Sequence, residues 1–176
     1  MFTDPVKNLR AFGFRENMIV ADLGAGTGFY TIPAAFMVSG GKVYAVEIQK
    51  DFLQTITNKI KEAHLDNVEC LCGDVEKIGG TKIADNVIDA VIASNLLLQI
   101  ENKDKFIEEI KRILKVDGRV LLIDKDPKSF LHKNSDKLGK CVSKEDIKKV
   151  FEGKGFSCEL DIDAGEHHYG IILRKL

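Results

Sequence analysis

Three alternate glycines follow an acidic residue in the stretch 20–30, which reads V-A-D-L-G-A-G-T-G-F-Y. An apolar run that ends in an acid and then meets such glycines is typical of a strand that enters a tight turn and a helix. Glycine lacks Cβ, so the backbone can take positive φ and approach a ligand closely, and the next helix presents free N–H groups. The pattern therefore predicts a ligand-binding turn that comprises Asp22, Gly24, Ala25, Gly26, Thr27 and Gly28.

A dinucleotide site is the obvious alternative, but its G-x-G-x-x-G fingerprint is not met. Phe29 stands where the third glycine is required, and Thr31 fails the same requirement if the count begins at Gly26. A second acid, Glu47, ends the next apolar run, V-Y-A-V-E. Its two oxygens can accept hydrogen bonds from the 2′ and 3′ hydroxyls of a ribose, as an acid does at this place in doubly wound nucleotide sites. The spacing favours a nucleoside ligand without a pyrophosphate.

Further motifs follow in order along the chain: G-D-V at 73–75, D-A-V-I-A-S-N at 89–95 and L-K-V-D-G-R-V at 114–120. Together with D-x-G-x-G-x-G at 22–28 and Glu47, they resemble the class I S-adenosylmethionine-dependent methyltransferases. The similarity is closest to the small-molecule branch that includes enzymes of the ubiquinone/menaquinone-biosynthesis type. It implies S-adenosylmethionine as cofactor, S-adenosylhomocysteine as product, and in-line methyl transfer to a small-molecule acceptor.

The resemblance also assigns roles to the ends of the first four strands. It places the methionine moiety at the glycine turn, where Asp22 orients the turn or meets the ammonium group, the ribose at Glu47 and the adenine amine at Asp74. The expected cofactor residues beyond the turn are Glu47, Ile48, Asp74, Val75, Ser94 and Asn95, with Ile48 and Val75 covering the adenine ring. An aspartate after glycine is also a common turn former, which is the alternative interpretation of Asp74.

No catalytic group is assigned by motif. Leu98 and Gln99 stand where many small-molecule relatives carry a histidine pair, and methyl transfer needs a base only if the acceptor must lose a proton. If the last strand is antiparallel, its first residues lie at the edge that holds the site. That topology makes His168, Tyr169 and, in the segment after strand five, His132 the candidates. The alternative is that they are partly exposed hairpin residues; strand alternation also prevents His167, His168 and Tyr169 from lining one pocket together.

No metal is expected, since Ser94 stands where catechol-type enzymes carry a metal-binding aspartate and the four cysteines lack zinc spacing. The cysteines are expected to be buried free thiols. Two alternatives to small-molecule methylation remain open. The lysine-rich segment 125–154 would suit an RNA or protein methyltransferase, and the lack of a separate capping domain would suit a protein that binds the cofactor without catalysis.

Length and composition indicate a single domain. The chain has 176 residues, 44% of them hydrophobic and 30% charged, and its net charge of −1 does not call for nucleic acid or an anionic membrane. No apolar run approaches the roughly 20 residues that cross a bilayer, and the first five residues do not resemble a signal peptide. We expect a cytoplasmic monomer or homodimer.

Alternating strand and helix patterns predict a doubly wound, Rossmann-like α/β sheet that is mostly parallel with an antiparallel last strand. Strands are predicted at 18–23, 42–47, 68–72, 87–93 and 119–124, followed by a hairpin at 156–162 and 169–175. Helices are predicted between them, with Asp117-Gly118 ending the fourth after its cap at Asn102, and Ser143 capping the fifth. The segment 125–142 has no periodicity, and we expect it to form a lid.

Overall fold

The structure is a computed structural model that describes residues 3–127 and 141–176. Helices and strands alternate through most of these residues. In chain order they are α1 (Pro5–Phe12), β1 (Ile19–Leu23), α2 (Thr31–Met37), β2 (Lys42–Glu47), α3 (Lys50–Glu62), β3 (Val68–Cys72), β4 (Ile88–Ser94), α4 (Lys103–Ile113), β5 (Leu114–Lys125), α5 (Lys144–Glu152), β6 (Phe156–Asp163) and β7 (His168–Lys175).

The strands form one seven-stranded sheet in the order β3-β2-β1-β4-β5-β7-β6. β1 pairs in parallel with β2 and β4, and β4 pairs in parallel with β5. β7 is antiparallel to both β5 and β6. The predicted doubly wound sheet with an antiparallel last strand is confirmed, and the carboxyl ends of β1 to β5 meet at one edge.

Side-chain caps fix where three helices begin. Asp4, Asn102 and Ser143 each accept a hydrogen bond from the backbone N–H three residues later, at distances of 3.0–3.1 Å. Such caps satisfy N–H groups that have no partner within the helix. At the other end of α1, Gly13 takes φ 77°, which allows the chain to leave the helix. The predicted starts of α4 and α5 are confirmed.

The sheet is covered on both faces, and β4 lies at its centre. Val91 and Ala93 pack in one apolar cluster with α4 and α5, whereas Ala90 and Ile92 pack in the other with α1 and α2. All four residues are fully buried. The continuous apolar run of this segment is thus explained by burial on two faces.

The start of β5 differs from the prediction. α4 ends at Ile113, and β5 begins at once with Leu114, which pairs with Ile88; the next pair along is Ala90 with Arg119. Asp117 takes φ 60°, and residues 115–118 form a bulge-like irregularity within the strand. Asp117-Gly118 therefore marks this irregularity, and it does not end the helix.

The prediction that the cysteines are buried free thiols is confirmed only in part. All four cysteines are free, but each is only partly buried, because β3 is an edge strand and Cys141 and Cys158 lie near the surface. Within residues 3–127 and 141–176, no helix has the length and apolar character to cross a bilayer, and no group of three acidic, histidine or cysteine side chains could hold a metal ion. Most of the segment 125–142 lies outside the described residues, so the lid stays a prediction.

Candidate functional site

The glycine turn after β1 is held by β2. The N–H groups of Gly24 and Ala25 both donate to the carbonyl oxygen of Val46, at 2.9 and 3.1 Å. The N–H of Gly26 donates to the Glu47 carboxylate at 2.9 Å. Hydrogen bonds within the protein therefore set the shape of this turn before any ligand binds.

Glu47 is a buried acid that organises the start of α3 as well as the turn. Besides the bond from Gly26, its carboxylate accepts hydrogen bonds from the N–H groups of Ile48 and Gln49 at 2.8 and 3.0 Å. Only 7% of Glu47 is exposed. A carboxylate offers about four acceptor positions. After three backbone bonds it can still accept from a ligand hydroxyl.

A cavity of about 300 Å³ lies between the glycine turn, the ends of β2 and β3, and the loop that joins β4 to α4. This volume is within the usual range for small-molecule sites. Six of the predicted cofactor residues line it: Gly24, Gly26, Glu47, Ile48, Asp74 and Val75. The other lining residues were not predicted as cofactor residues from the sequence; they are Val46, Gln49, Phe52, Gly73, Glu76, Leu96, Gln99 and Ile100.

Asp74 both forms a turn and lines the cavity. Its carboxylate accepts a hydrogen bond from the N–H of Glu76 at 3.0 Å and pairs with Lys77 at 3.0 Å. The hydrogen bond from Lys77, with that from the Glu76 N–H, lowers the pKa of Asp74 below its ordinary value. The side chain is thus an anionic acceptor at neutral pH, and both interpretations of this residue are compatible.

Asp22 lies beneath the turn, where it is 2% exposed. Its carboxylate accepts a hydrogen bond from the Thr31 hydroxyl at 2.6 Å. Burial raises the pKa of Asp22 to about 6 against the effect of Thr31, and the negative charge of Glu47 adds to the rise. Within residues 3–127 and 141–176, no basic side chain forms an ion pair with either acid. The base of the site therefore suits a cation.

The remaining predicted cofactor residues do not line this cavity. They are Asp22, Ala25, Thr27, Gly28, Ser94 and Asn95. The carbonyl oxygen of Thr27 accepts a hydrogen bond from Lys59 at 2.7 Å. The Asn95 amide donates to the Ser94 hydroxyl at 3.2 Å, and its oxygen lies 3.0 Å from Nε2 of His168. Ser94 and Asn95 thus connect β4 to the start of β7.

The loop between β4 and α4, residues 95–102, has two sides. Leu96, Gln99 and Ile100 line the cavity. On the other side, the buried carboxylate of Asp124 accepts a hydrogen bond from the Leu97 N–H at 2.8 Å, and burial raises the pKa of Asp124. The apolar run after Ser94-Asn95 is the signal that could have identified Leu96 as a cavity residue.

His168 and Tyr169 border a second cavity, of about 280 Å³, between the end of β5 and the start of α5. The Tyr169 hydroxyl donates to the carbonyl oxygen of Val142 at 3.1 Å, and burial raises the pKa of Tyr169 far above its ordinary value. His167 is exposed and does not line this cavity. His132, the third candidate, lies outside the described residues.

Comparisons with known proteins agree on one class. A family model described as a methyltransferase domain matches residues 14–155. A solved S-adenosylmethionine-dependent methyltransferase from Aquifex aeolicus shares 27% identity, with 99% of this chain and 91% of that chain covered and a TM-score of 0.88. The [4+2]-cyclase SpnF, at 15% identity, covers 97% of this chain and 79% of its own with a TM-score of 0.83, and it shares the fold alone.

Curated relatives belong to the same class. The ubiquinone/menaquinone biosynthesis C-methyltransferase UbiE of Blochmanniella pennsylvanica is 30% identical over 139 residues, which are 72% of this chain and 54% of that protein. UbiE of Hydrogenovibrio crunogenus is 31% identical over 114 residues, which are 64% of this chain and 44% of that protein. The chain thus spans about half the length of the curated relatives it matches.

Proposed function

Because this chain belongs to the class I methyltransferase family, we propose that it binds S-adenosylmethionine and transfers the methyl group to a small-molecule acceptor. The observation that carries the proposal is the pair of buried acids beside the glycine turn. Asp22 and Glu47 have no ion-pair partner among the described residues; burial raises the pKa of Asp22, and the charge of Glu47 adds to the rise. A ligand with positive charges, on a sulfonium and an ammonium group, would relieve this repulsion.

The cavity residues fit the remaining parts of the cofactor. Glu47 has an acceptor position left for a ribose hydroxyl, and the anionic Asp74 can accept a hydrogen bond from the adenine amine. Ile48 is 60% exposed where it lines the cavity, so its side chain is available to cover a flat ligand ring. A Cβ added at Gly26 would meet no atom of the described residues closer than 4.0 Å, so this turn leaves space for the methionine moiety.

We assign the cofactor to two sets of residues. The first set contacts it directly and comprises the predicted residues that line the cavity: Gly24, Gly26, Glu47, Ile48, Asp74 and Val75. The second set supports the first or completes the trough and comprises Asp22, Ala25, Thr27, Gly28, Ser94 and Asn95. The unpredicted residues Phe52 and Ile100 add apolar wall to the same cavity. No metal enters this assignment.

The bound cofactor supplies a methyl group that a sulfonium makes electrophilic. The protein supplies alignment and excludes water, since charge is dispersed during an in-line displacement. Glu47 and Asp74 would hold the nucleoside from two sides, and Leu96 would cover it from the β4–α4 loop. The curated relatives are named for C-methylation in ubiquinone and menaquinone biosynthesis. For this chain we propose a small acceptor, without extending their named pathway to it.

The lysine-rich segment gives little support to an RNA or protein substrate. Among its described residues, Lys144 and Lys148 pair with Asp161, at 3.0 and 2.5 Å. Lys154 pairs with two acids of α4 at 2.9 and 3.2 Å. The acidic side chains therefore neutralise these three lysines, and the three do not form an open basic surface.

Methyl transfer is tested by incubating the full chain with methyl-labelled S-adenosylmethionine and a broad panel of small acceptors. The expected result is label in an acceptor together with an equal amount of S-adenosylhomocysteine. The variant Gly26→Ala, in which a methyl group enters the cavity, is expected to give neither product. Tight cofactor binding without any labelled acceptor would reject catalysis and favour a cofactor-binding protein instead.

A further inference from the structure

One ring nitrogen of His168 contacts Asn95, and the other has no partner among the residues that the structure describes. Nε2 lies 3.0 Å from the amide oxygen of Asn95. An amide oxygen can only accept, so Nε2 carries the proton and Nδ1 of the neutral ring keeps its lone pair. Nδ1 is buried and has no hydrogen-bond partner within residues 3–127 and 141–176. The ring therefore keeps a lone pair that none of the described residues uses.

Asn95 fixes this arrangement. Its side-chain NH₂ donates to the Ser94 hydroxyl at 3.2 Å, which directs the amide oxygen toward His168. Its backbone takes φ 53°, a left-handed conformation that asparagine adopts more readily than most residues other than glycine. Asn95 is therefore placed to set both the tautomer and the orientation of the imidazole.

The same loop connects this ring to the proposed cofactor cavity. Asn95 contacts His168, and the next residue, Leu96, lines the cavity. Leu96 also packs directly over the glycine turn, since a Cβ added at Gly24 would be 2.6 Å from its side chain. His168 thus lies one hydrogen bond away from the loop that covers the cofactor. On its other side it borders the second cavity, of about 280 Å³.

We propose that Nδ1 of His168 accepts the proton of the methyl acceptor, and that the acceptor class is a compound whose nucleophilic oxygen or carbon must lose a proton. This inference rests on the proposed methyl transfer. The acceptor atom forms a bond to the methyl carbon while the carbon–sulfur bond breaks and leaves its electron pair on sulfur. The proton passes from the acceptor to Nδ1, and the imidazolium then releases it to solvent.

The environment of His168 favours the neutral imidazole, which is the form that can accept a proton. Burial lowers the pKa of His168 below its ordinary value, and the positive charges of Lys125 and His167 act in the same direction. Asp126, Lys144 and Glu145 also border the cavity, with charges of both signs. A lowered pKa keeps the lone pair available at pH 7, since a base works only in its unprotonated form.

The first test needs no acceptor. Nitrogen-15 NMR of the imidazole in the full chain is expected to show a neutral ring at pH 7 with its proton on Nε2. Asn95→Gly keeps the positive φ but removes the amide, and it is expected to abolish the preference for this tautomer. A proton on Nδ1 in the wild-type protein, or a charged ring at pH 7, would overturn the proposal.

The second test measures turnover of two phenols that differ in acidity, with labelled cofactor. His168→Ala is expected to lower turnover of an ordinary phenol by about 100-fold or more, the usual contribution of a general base. The loss is expected to be small for an acidic phenol that is already ionised at the assay pH. His167→Ala, at the exposed neighbouring position, is the matched control and should stay within about twofold.

The outcomes separate this proposal from the proposed function. Calorimetry on His168→Ala is expected to show unchanged affinity for S-adenosylhomocysteine. Equal losses with both phenols, no loss with either, or methylation only of amines would overturn the role of His168 while leaving methyl transfer in place. A 1,3-diketone serves as the probe for an acidic carbon, and cofactor binding without methylation of the diketone or of either phenol would overturn the proposed acceptor class. A failure of the wild-type protein to bind cofactor would instead reject the proposed function.

Discussion

The carboxylate of Glu47 lies 2.9 Å from the backbone nitrogen of Gly26 and accepts its hydrogen bond. The acid that ends β2 thus holds the glycine turn that follows β1. The glycine motif and Glu47 therefore form one structural unit. A change at Gly26 or at Glu47 should affect both the shape of the turn and the cavity beside it.

Removing the Glu47 carboxylate tests the ribose assignment. Glu47→Ala is expected to weaken binding of S-adenosylhomocysteine by about 1.5–3 kcal/mol, the scale of hydrogen bonds to a charged group. The fold should survive with reduced stability, because three backbone N–H groups lose their partner. Calorimetry measures the affinity and chemical denaturation the stability. Glu69→Ala, which removes an exposed acid from the neighbouring strand, is the control, and equal affinities in the two variants would contradict the assignment.

Two glycines with positive φ allow the effect of a substitution on cofactor binding to be distinguished from its effect on stability. Gly26 and Gly13 have φ 54° and 77°. Among the described residues, an added Cβ would meet no atom within 4 Å at Gly13 and none closer than 4.0 Å at Gly26. Alanine at either position should cost about 1–2 kcal/mol of stability. Only Gly26→Ala should also lose cofactor affinity, because its methyl group enters the cavity. Similar affinity in both variants would mean that the cofactor lies elsewhere.

The buried Asp22 should reduce the stability of the ligand-free protein at neutral pH. Its pKa rises from 3.8 to about 6 on folding, so the folded protein holds this proton more tightly than the unfolded chain does. The resulting stabilisation is complete below pH 3.8 and is lost as the pH rises through 6. Asp22→Asn removes this dependence. Relative to wild type, the variant should gain up to about 3 kcal/mol between pH 4 and pH 7.

Urea denaturation across this pH range measures the difference. Exposed Asp66→Asn is the control for the loss of one negative charge. Asp22→Asn should also bind the cofactor more weakly than wild type, since it lacks the charge that meets a cation. A stability difference that does not change with pH would show that Asp22 is not strained by burial.

Glu109 on α4 holds the loop that carries Asp74. Its buried carboxylate accepts hydrogen bonds from Arg112, from Thr81 and from the N–H of Gly79 at 2.8 Å. Burial would raise the pKa of Glu109, but these bonds lower it to about 2. The stabilisation is therefore present above pH 4.5 and is lost as the pH falls toward 2. Glu109→Ala should cost about 1–3 kcal/mol, because Gly79 and Thr81 lose a buried acceptor while Arg112 keeps its pairing with Asp85.

The neighbouring acid provides the control for this loss. Glu108 is exposed and pairs with Lys154 at 2.9 Å, so Glu108→Ala should cost less than about 1 kcal/mol. Thermal or urea denaturation at pH 7 compares the two variants. Equal stabilities would show that the Glu109 cluster adds nothing beyond a surface ion pair.

Local signals in the sequence were sufficient to predict most of the helices and strands. β2 and β3 begin and end at the predicted residues, since apolar alternation and flanking glycines both mark them. The start of β5 was not predictable in this way. Leu114 continues the helical spacing of α4, and only its pairing with Ile88 moves it into the sheet. Tertiary hydrogen bonding decided the boundary there.

The candidate site was predictable where a residue type has a fixed role, as at Gly26, Glu47 and Asp74. Phe52 and Ile100 could not be predicted, because apolar residues on a helix or in a loop look alike whether they face a core or a cavity. The contact between His168 and Asn95 depends on the pairing of β5 with β7. Sequence topology placed His168 near the site, but it could not show which atom would remain without a partner.

A calorimetric titration of the full chain tests the central claim most directly. S-adenosylhomocysteine is expected to bind at one site per chain, and NADH is expected not to bind at the same concentrations. Gly26→Ala should lose this binding, whereas Gly13→Ala should retain it. If the folded wild-type protein binds neither S-adenosylhomocysteine nor S-adenosylmethionine at millimolar concentration, the cavity beside Glu47 is not a cofactor site.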